Sequence, residues 1–210
     1  VSEEDKSFRP DEITVFMGSA YPSYGETVSY FSPEKNERVY DGINSDIYID
    51  KNSGFNITKF DYKKQDDAKL IKFGPKSIYK TWFIGSGSSE DISNMENGSV
   101  QLILRPKKLS SEKLTLDLGC YKTQEQIKNS ESSVCYKSID LTKILKDNFD
   151  NNWKEINIPI QCLFNPDFEP SNLTLRSQFG SSGNWEIELH SIKFINNTGY
   201  NSCSLNISDY

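Results

Sequence analysis

Planar side chains alternate with other residues along two β-prone segments of the chain. In SIYKTWFIG (77–85), Trp82 shares a strand face with Lys80, and Tyr79 lies on the other face. In LTLRSQF (173–179), apolar residues occupy one face, so Arg176 and Gln178 point outward. An aromatic ring can stack on the C–H side of a sugar ring, while guanidinium and amide groups pair with its hydroxyls. The pattern therefore indicates sugar binding, with Trp82 as the leading stacking residue.

Four further residues extend this candidate site. Arg105 points outward at the end of SVQLILR (99–105), and Trp185 opens a later strand, where it is either a core residue or a ligand contact. Tyr121 and Tyr136 each directly follow a cysteine. These two tyrosines either contact a ligand on the loops at one end of the fold or merely cover a disulfide.

Catalytic residues are scarce in this sequence. The chain has a single histidine, His190, and its place in a β-prone run favours a solvent-side strand position. A Ser-His-Asp or Cys-His arrangement has no other histidine available. Two placed carboxylates are enough for a glycosidase, but no local pattern singles out such a pair among the 30 acidic residues. We therefore expect a protein that is not an enzyme, and a stand-alone glycan hydrolase or lyase is the alternative.

The overall charge restricts the classes of partner. The net charge is −6 and the pI is about 5.0, which argues against nucleic acid and against an anionic membrane surface. A neutral ligand is compatible with this charge. No stretch of the sequence approaches the 18 apolar residues of a membrane span, so we expect no membrane insertion.

Short β-prone runs broken by turn residues make up most of the chain. The runs 112–119, 153–164 and 184–195 repeat apolar residues with the period of two that half-buried antiparallel strands require. The single convincing helix is SIDLTKILKDNF (138–149), which either Asp140 or Ser138 can cap. We expect an all-β sandwich with one short helix at residues 13–195, an N-terminal arm or linker at 1–12 and a C-terminal tail at 196–210.

The chain contains four cysteines, and two disulfides among them allow three pairings. No C-x-x-C pair occurs, which, together with the single histidine, argues against zinc. A bridge between Cys120 and Cys135 would close a long hydrophilic loop and contribute about 3 kcal/mol of stability. Disulfides indicate an extracellular, cell-surface or periplasmic location.

Several motifs occur in an order that resembles a known module. One series of motifs runs in the order LDLGC (116–120), Cys135, IDLT (139–142), Trp153 and IPIQCLF (158–164). Three further segments precede this series in the chain. These are FMGSAYPSY (16–24), DYKKQDDAKLIKF (61–73) and EDISNMENGSVQLIL (90–104). In this order they resemble the C-terminal β-sandwich module of exo-β-glucanase-type family 3 glycoside hydrolases.

The resemblance implies a jelly-roll sandwich of the galactose-binding-like kind, as in many carbohydrate-binding modules. It implies a polysaccharide ligand, with β-glucan (such as laminarin) as the first choice, and an adjacent glycoside hydrolase domain as a partner. A structural accessory domain that binds no sugar is the alternative. For the cysteines outside the loop we expect a bridge between Cys162 and Cys203. Such modules often hold a structural calcium ion, for which the acidic residues in predicted loops or strand ends are Asp61, Asp66, Asp67, Glu90 and Asp91.

Overall fold

The structure is a computed structural model that describes residues 11–18, 25–43, 47–85, 90–121, 136–163, 174–200 and 203–210. These residues form two antiparallel sheets packed face to face, with one short α-helix in the described ranges. The predicted all-β sandwich with one short helix is therefore confirmed. No described helix is long and apolar enough to cross a membrane.

The larger sheet has eight strands and includes both ends of the described chain. Its order is β14 (Asn206–Asp209), β11 (Lys154–Pro159), β8 (Ser99–Lys108), β13 (Glu186–Ile195), β6 (Ala68–Lys72), β5 (Asn56–Phe60) and β4 (Tyr48–Ile49). Strand β1 (Glu12–Met17) also pairs with β13, through an irregularity at Val15. The residues predicted as a polar C-terminal tail thus include a sheet strand, β14.

The smaller sheet has six strands. Its order is β10 (Tyr136–Asp140), β9 (Leu114–Tyr121), β12 (Thr174–Ser181), β7 (Lys80–Gly85), β2 (Gly25–Ser32) and β3 (Glu37–Gly42). Strands β2 and β3 form a hairpin whose turn places Asn36 at φ 51°, a left-handed conformation that asparagine tolerates better than most residues.

Alternation along the strands builds the core between the two sheets. Leu114, Leu116 and Leu118 of β9 are each 0% exposed, as the period of two predicts. Aromatic rings meet across the sheets, because Phe16 of β1 contacts Trp82 of β7 edge to face with ring centroids 5.4 Å apart. This core fixes which residues each sheet turns toward solvent.

One ion pair also joins the sheets inside the core. Lys69 of β6 places its Nζ 2.8 Å from Oε1 of Glu26 in β2, and the two side chains are 2% and 7% exposed. Trp82 donates its indole N–H to Oε2 of the same glutamate at 3.3 Å. A buried pair is satisfied only when both partners are in place, so this contact favours one relative position of the sheets.

Helix α1 (Thr142–Asp147) packs on one end of the sandwich. The amide of Thr142 donates to the Asp140 carboxylate at 2.9 Å. The N-cap position is Leu141, which makes no side-chain cap bond, so neither Asp140 nor Ser138 is the N-cap residue, and Ser138 lies inside β10. Leu141 and Leu145 anchor the helix in the core. A disulfide joins Cys162, which follows β11, to Cys203, which precedes β14.

Candidate functional site on the outer face of the smaller sheet

The outer face of the six-stranded sheet carries three of the eight predicted site residues, namely Tyr79, Arg176 and Gln178. Because Trp82 and Ile84 point into the core, Thr81 and Phe83 of β7 point outward. Arg176 and Gln178 of the neighbouring β12 point outward as predicted. We call this solvent-facing surface of β10, β9, β12, β7, β2 and β3 the outer face.

Three exposed aromatic rings cluster at the β2–β3 end of the outer face. Tyr40 is 67% exposed, and Phe31 and Tyr79 are each 41% exposed. The guanidinium of Arg38 lies between the two tyrosines, 5.9 Å from the ring centroid of Tyr40 and 5.7 Å from that of Tyr79. We call these four residues the tyrosine platform.

The tyrosine platform is held by contacts beneath it. Arg38 donates from Nε and Nη2 to the Ser29 hydroxyl at 3.1 and 3.0 Å, and that hydroxyl bonds the Thr81 hydroxyl at 2.6 Å. Tyr79 lies directly over Gly180, where a Cβ atom would stand 2.2 Å from the Tyr79 hydroxyl oxygen. Only glycine lets the ring approach the sheet this closely.

A second group of planar side chains crosses the middle of the outer face. Phe83, Gln178 and Asp117 lie opposite one another on β7, β12 and β9. The Arg176 guanidinium lies 5.5 Å from the Phe83 ring centroid and donates to Gln178 Oε1 at 3.1 Å. The Gln178 amide donates in turn to Asp117 Oδ2 at 3.4 Å. We call these four residues the polar ladder.

The prediction that Trp82 stacks on a ligand is wrong, because its ring is buried, and of the two alternatives for Trp185 the structure shows the core one. Trp82 is 0% exposed, packed between Phe16 and Phe179, with its N–H directed at Glu26 inside the core. Trp185 is also 0% exposed and donates its N–H to the Glu112 carbonyl at 2.9 Å. Neither ring is available for stacking on a ligand in this structure.

Arg105 lies on the opposite surface of the molecule. It belongs to β8 of the larger sheet and pairs with Glu188 at 2.5 Å. Its guanidinium also lies 5.1 Å from the ring centroid of Trp153. Arg105 points outward, as the sequence suggests, but it does not join Tyr79, Arg176 and Gln178.

The cysteine loop falls mostly outside the described residues. Cys135 and the side chains of Cys120, Tyr121 and Tyr136 lie there, so their predicted roles stay predictions. The expected Cys162–Cys203 bridge is present in the structure.

His190 takes part in a structural contact on the outer surface of the larger sheet. Its Nδ1 lies 2.6 Å from the Asp67 carbonyl oxygen, and its ring packs 4.6 Å from that of Tyr62. Burial lowers the pKa of His190, against the opposing effect of this hydrogen bond. The contact gives the histidine a packing role that needs no catalytic explanation.

The acidic residues considered for calcium are partly engaged by the backbone. Asp67 accepts hydrogen bonds from the amides of Tyr62, Lys63 and Lys64. Burial raises the pKa of Asp67, but these amides outweigh it, so the net shift is downward. Within the described ranges, no group of three or more His, Cys, Asp or Glu side chains is arranged to hold a metal ion. The calcium ion stays a prediction.

Sequence reasoning missed three of the four platform residues. Phe31, Arg38 and Tyr40 belong to the β2–β3 hairpin, which the sequence analysis did not assign to strands. The available signal was the alternation of Arg38 and Tyr40 after the turn residues 33–36, opposite the alternation of Ser29 and Phe31 before them.

The two packed antiparallel sheets define a β-sandwich of the galactose-binding-like kind. A family model described as Exop_C, galactose-binding domain-like, matches residues 29–194. The chain belongs to this family. No curated protein matches the sequence significantly.

Solved structures share the fold at low sequence identity. The extra C-terminal domain of exo-1,3/1,4-beta-glucanase (ExoP) from a Pseudoalteromonas species is 14% identical, with a TM-score of 0.60 and coverage of 90% of this chain and 93% of that one. The glucanase chain that contains it is 15% identical, with a TM-score of 0.60; the match covers 91% of this chain but only 21% of the glucanase. The family 30 carbohydrate-binding module of a cellulosomal cellulase from Clostridium thermocellum is 14% identical, with a TM-score of 0.58 and coverage of 89% and 98%.

Proposed function

We propose that this domain binds a polysaccharide without cleaving it, and that the binding site is the outer face of the smaller sheet. The observation that carries the proposal is the cluster of exposed rings, Tyr79, Tyr40 and Phe31, beside the guanidinium of Arg38. Exposed rings and planar polar groups on one flat surface are the two features that sugar recognition in water requires.

The polar ladder extends this surface across the strands. Gln178 and Asp117 are held by contacts to each other, and Arg176 is held against Phe83. Side chains fixed before binding lose little freedom when a ligand arrives, which favours affinity. A surface that runs from the platform to the ladder suits an extended sugar chain better than a single ring.

A β-glucan is our first choice of ligand. The support is the name of a structurally similar protein, an exo-1,3/1,4-beta-glucanase, whose extra C-terminal domain has this fold. The disulfide between Cys162 and Cys203 supports a location outside the cytosol, where a domain can meet such a polymer.

The alternative is an accessory domain that supports a neighbouring hydrolase domain and binds no sugar. The support for this alternative is that the matching domain makes up only 21% of the glucanase chain, so that it is a small part of a larger protein. A hydrolase domain adjacent to this one is part of the proposal in either case.

Affinity electrophoresis against laminarin, mixed-linkage glucan, xylan and alginate tests the proposal. Retardation by a β-glucan is the expected result, and retardation by none of the four polymers would favour the accessory domain. Tyr79→Ala should weaken binding by about two- to tenfold, because one aromatic contact contributes about 0.5–1.5 kcal/mol. Tyr210→Ala is the matched control, since this ring is 53% exposed and lies at the larger sheet. Release of reducing ends during incubation would instead indicate a hydrolase.

A further inference from the structure

The outward positions of four strands carry a charge opposite in sign to that of the whole chain. On β12, β7, β2 and β3 these positions are Thr174, Arg176, Gln178, Gly180, Thr81, Phe83, Gly85, Thr27, Ser29, Phe31, Arg38, Tyr40 and Gly42. They include two arginines and no carboxylate, although the chain has 30 acidic and 24 basic residues. The β12–β3 part of the outer face therefore carries two positive charges, while the carboxylates Asp117 and Asp140 occupy outward positions on β9 and β10 at its other end.

Arg38 is the more exposed of the two arginines and keeps part of its hydrogen-bonding capacity. A guanidinium has five N–H donors in a fixed plane. Two of its nitrogens, Nε and Nη2, donate to the Ser29 hydroxyl, and the two tyrosines of the platform flank it. Among the described residues no carboxylate forms an ion pair with Arg38, whereas Arg105 on the larger sheet is paired with Glu188.

A carboxylate has the planar geometry that such an arginine binds through two parallel hydrogen bonds. The remaining N–H groups lie in one plane and match two carboxylate oxygens, in charge-assisted bonds about twice as strong as neutral ones. We propose that the polysaccharide bound at the outer face carries carboxylates, as a chain containing uronic acid residues does, and that Arg38 recognises one of them. This inference rests on the proposed function.

The positions of Arg38 and Arg176 favour a polymer over a single acidic sugar. Arg176 lies in register with Gly85 and Gly25, and Arg38 lies in register with Phe31, six residues further along β2. Six residues along a strand span about 20 Å and three strand spacings about 14 Å, so the two Cα positions are roughly 24 Å apart. One sugar ring cannot contact both arginines, but a chain with repeated carboxylates can.

The net charge of −6 does not oppose this proposal at physiological salt. The Debye length is about 8 Å at 0.15 M ionic strength, so exposed charges beyond that distance are largely screened. A carboxylate bound at Arg38 therefore interacts mainly with Arg38 itself, while the adjacent Glu37 alternates to the other face of β3.

The experiment compares laminarin with C6-oxidised laminarin, which keeps the linkages and replaces primary hydroxyls by carboxylates. Calorimetric titration at low and at high salt gives the affinity of each polymer. We expect oxidised laminarin to bind roughly tenfold more tightly at low salt, and the preference to shrink at high salt. Arg38→Gln should remove most of the preference, so that the two polymers bind this variant with nearly equal affinity.

Two further variants distinguish the effect of the planar guanidinium group from the effect of positive charge alone. Arg38→Lys keeps the charge and loses the planar fork, so the preference should fall only in part. Lys108→Gln removes one positive charge from an exposed position on the larger sheet and should leave the preference intact. Thermal unfolding of each variant verifies that the fold is retained, as expected for exposed side chains.

Each outcome bears on one of the two proposals. Equal or weaker binding of oxidised laminarin, with laminarin still bound, would overturn the carboxylate inference and leave the proposed function standing. The same holds if Arg38→Gln weakens both polymers equally, or if Lys108→Gln abolishes the preference as fully as Arg38→Gln does. Failure of both polymers to bind, together with no retardation by mixed-linkage glucan, xylan or alginate, would overturn the proposed function and the inference with it.

Discussion

Lys80 is a charged residue buried in the core, so its substitution measures how much this charge lowers the stability of the domain. Its side chain is 0% exposed, and its Nζ donates to the Lys76 carbonyl at 2.6 Å. In the part of the chain that the structure describes, no carboxylate pairs with this ammonium. Burial lowers the pKa of Lys80 to about 8, and the nearby Lys76 adds to the effect. We predict that Lys80→Met, which keeps the apolar stem and removes the charge, stabilises the domain.

The magnitude follows from the pKa. The gap between about 8 and the ordinary lysine pKa of 10.5 corresponds to about 3 kcal/mol of unfolding free energy at pH 7. Loss of the hydrogen bond to Lys76 offsets about 1 kcal/mol, which leaves a net gain of about 2 kcal/mol. Between pH 8 and 10.5 the unfolded chain binds more protons at Lys80 than the folded chain does. The stability of the wild type therefore rises through this range, and the advantage of methionine shrinks.

Urea unfolding at pH 7 and pH 10 measures both effects. The expected result is a higher midpoint for Lys80→Met at pH 7, an unchanged m-value and a much smaller difference at pH 10. Lys108→Met, at an exposed strand end, is the control and should show no such pH dependence. A less stable Lys80→Met protein at pH 7, or a difference equal at both pH values, would refute the reasoning.

Two further predictions concern the pH dependence of stability and the disulfide. Because burial lowers the pKa of His190, folding favours the neutral ring, and this stability is lost as pH falls below the unfolded pKa of about 6.5. His190→Gln should flatten the urea-unfolding free energy between pH 7 and pH 5, and an unchanged slope would contradict the assignment. Cys203→Ser removes the disulfide, whose cysteines are 41 residues apart in sequence, and should lower the free energy of unfolding by about 4 kcal/mol through chain entropy. Thermal unfolding checks this, with Cys162→Ser expected to match it; a loss below 1 kcal/mol in either variant would count against the estimate.

The strand pattern could be predicted because burial imposes a period of two on it. Leu114, Leu116 and Leu118 alternate with polar residues, and the structure buries all three. The helix was predictable for a similar reason, since Leu141 and Leu145 fall one turn apart and both are buried. Strand β14 could not be predicted in this way, because only Ile207 of this short strand packs against the core. The segment just before β14 is attached to the sandwich by the disulfide between Cys203 and Cys162.

The error at Trp82 has a clear physical origin. Alternation divides β7 into two sets, but it does not indicate which set faces the core. The charge of Lys80 indicated that the set containing Lys80 and Trp82 faces solvent. A lysine can, however, bury its apolar stem and bring its ammonium group to a backbone carbonyl. The buried Glu26, which accepts from the Trp82 N–H, lies 56 residues away in sequence, so no local pattern could indicate it.

The contact between Tyr79 and Gly180 offers a way to compare this domain with others of its fold. A Cβ atom at position 180 would collide with the Tyr79 hydroxyl oxygen, so any other residue there would tilt or displace the ring. A related sequence with a larger residue at this place must therefore present its aromatic side chain at another height or angle. The residues at positions 79 and 180 therefore divide related sequences into two groups. Those with an aromatic residue and a glycine can present the ring as this domain does, and the others cannot.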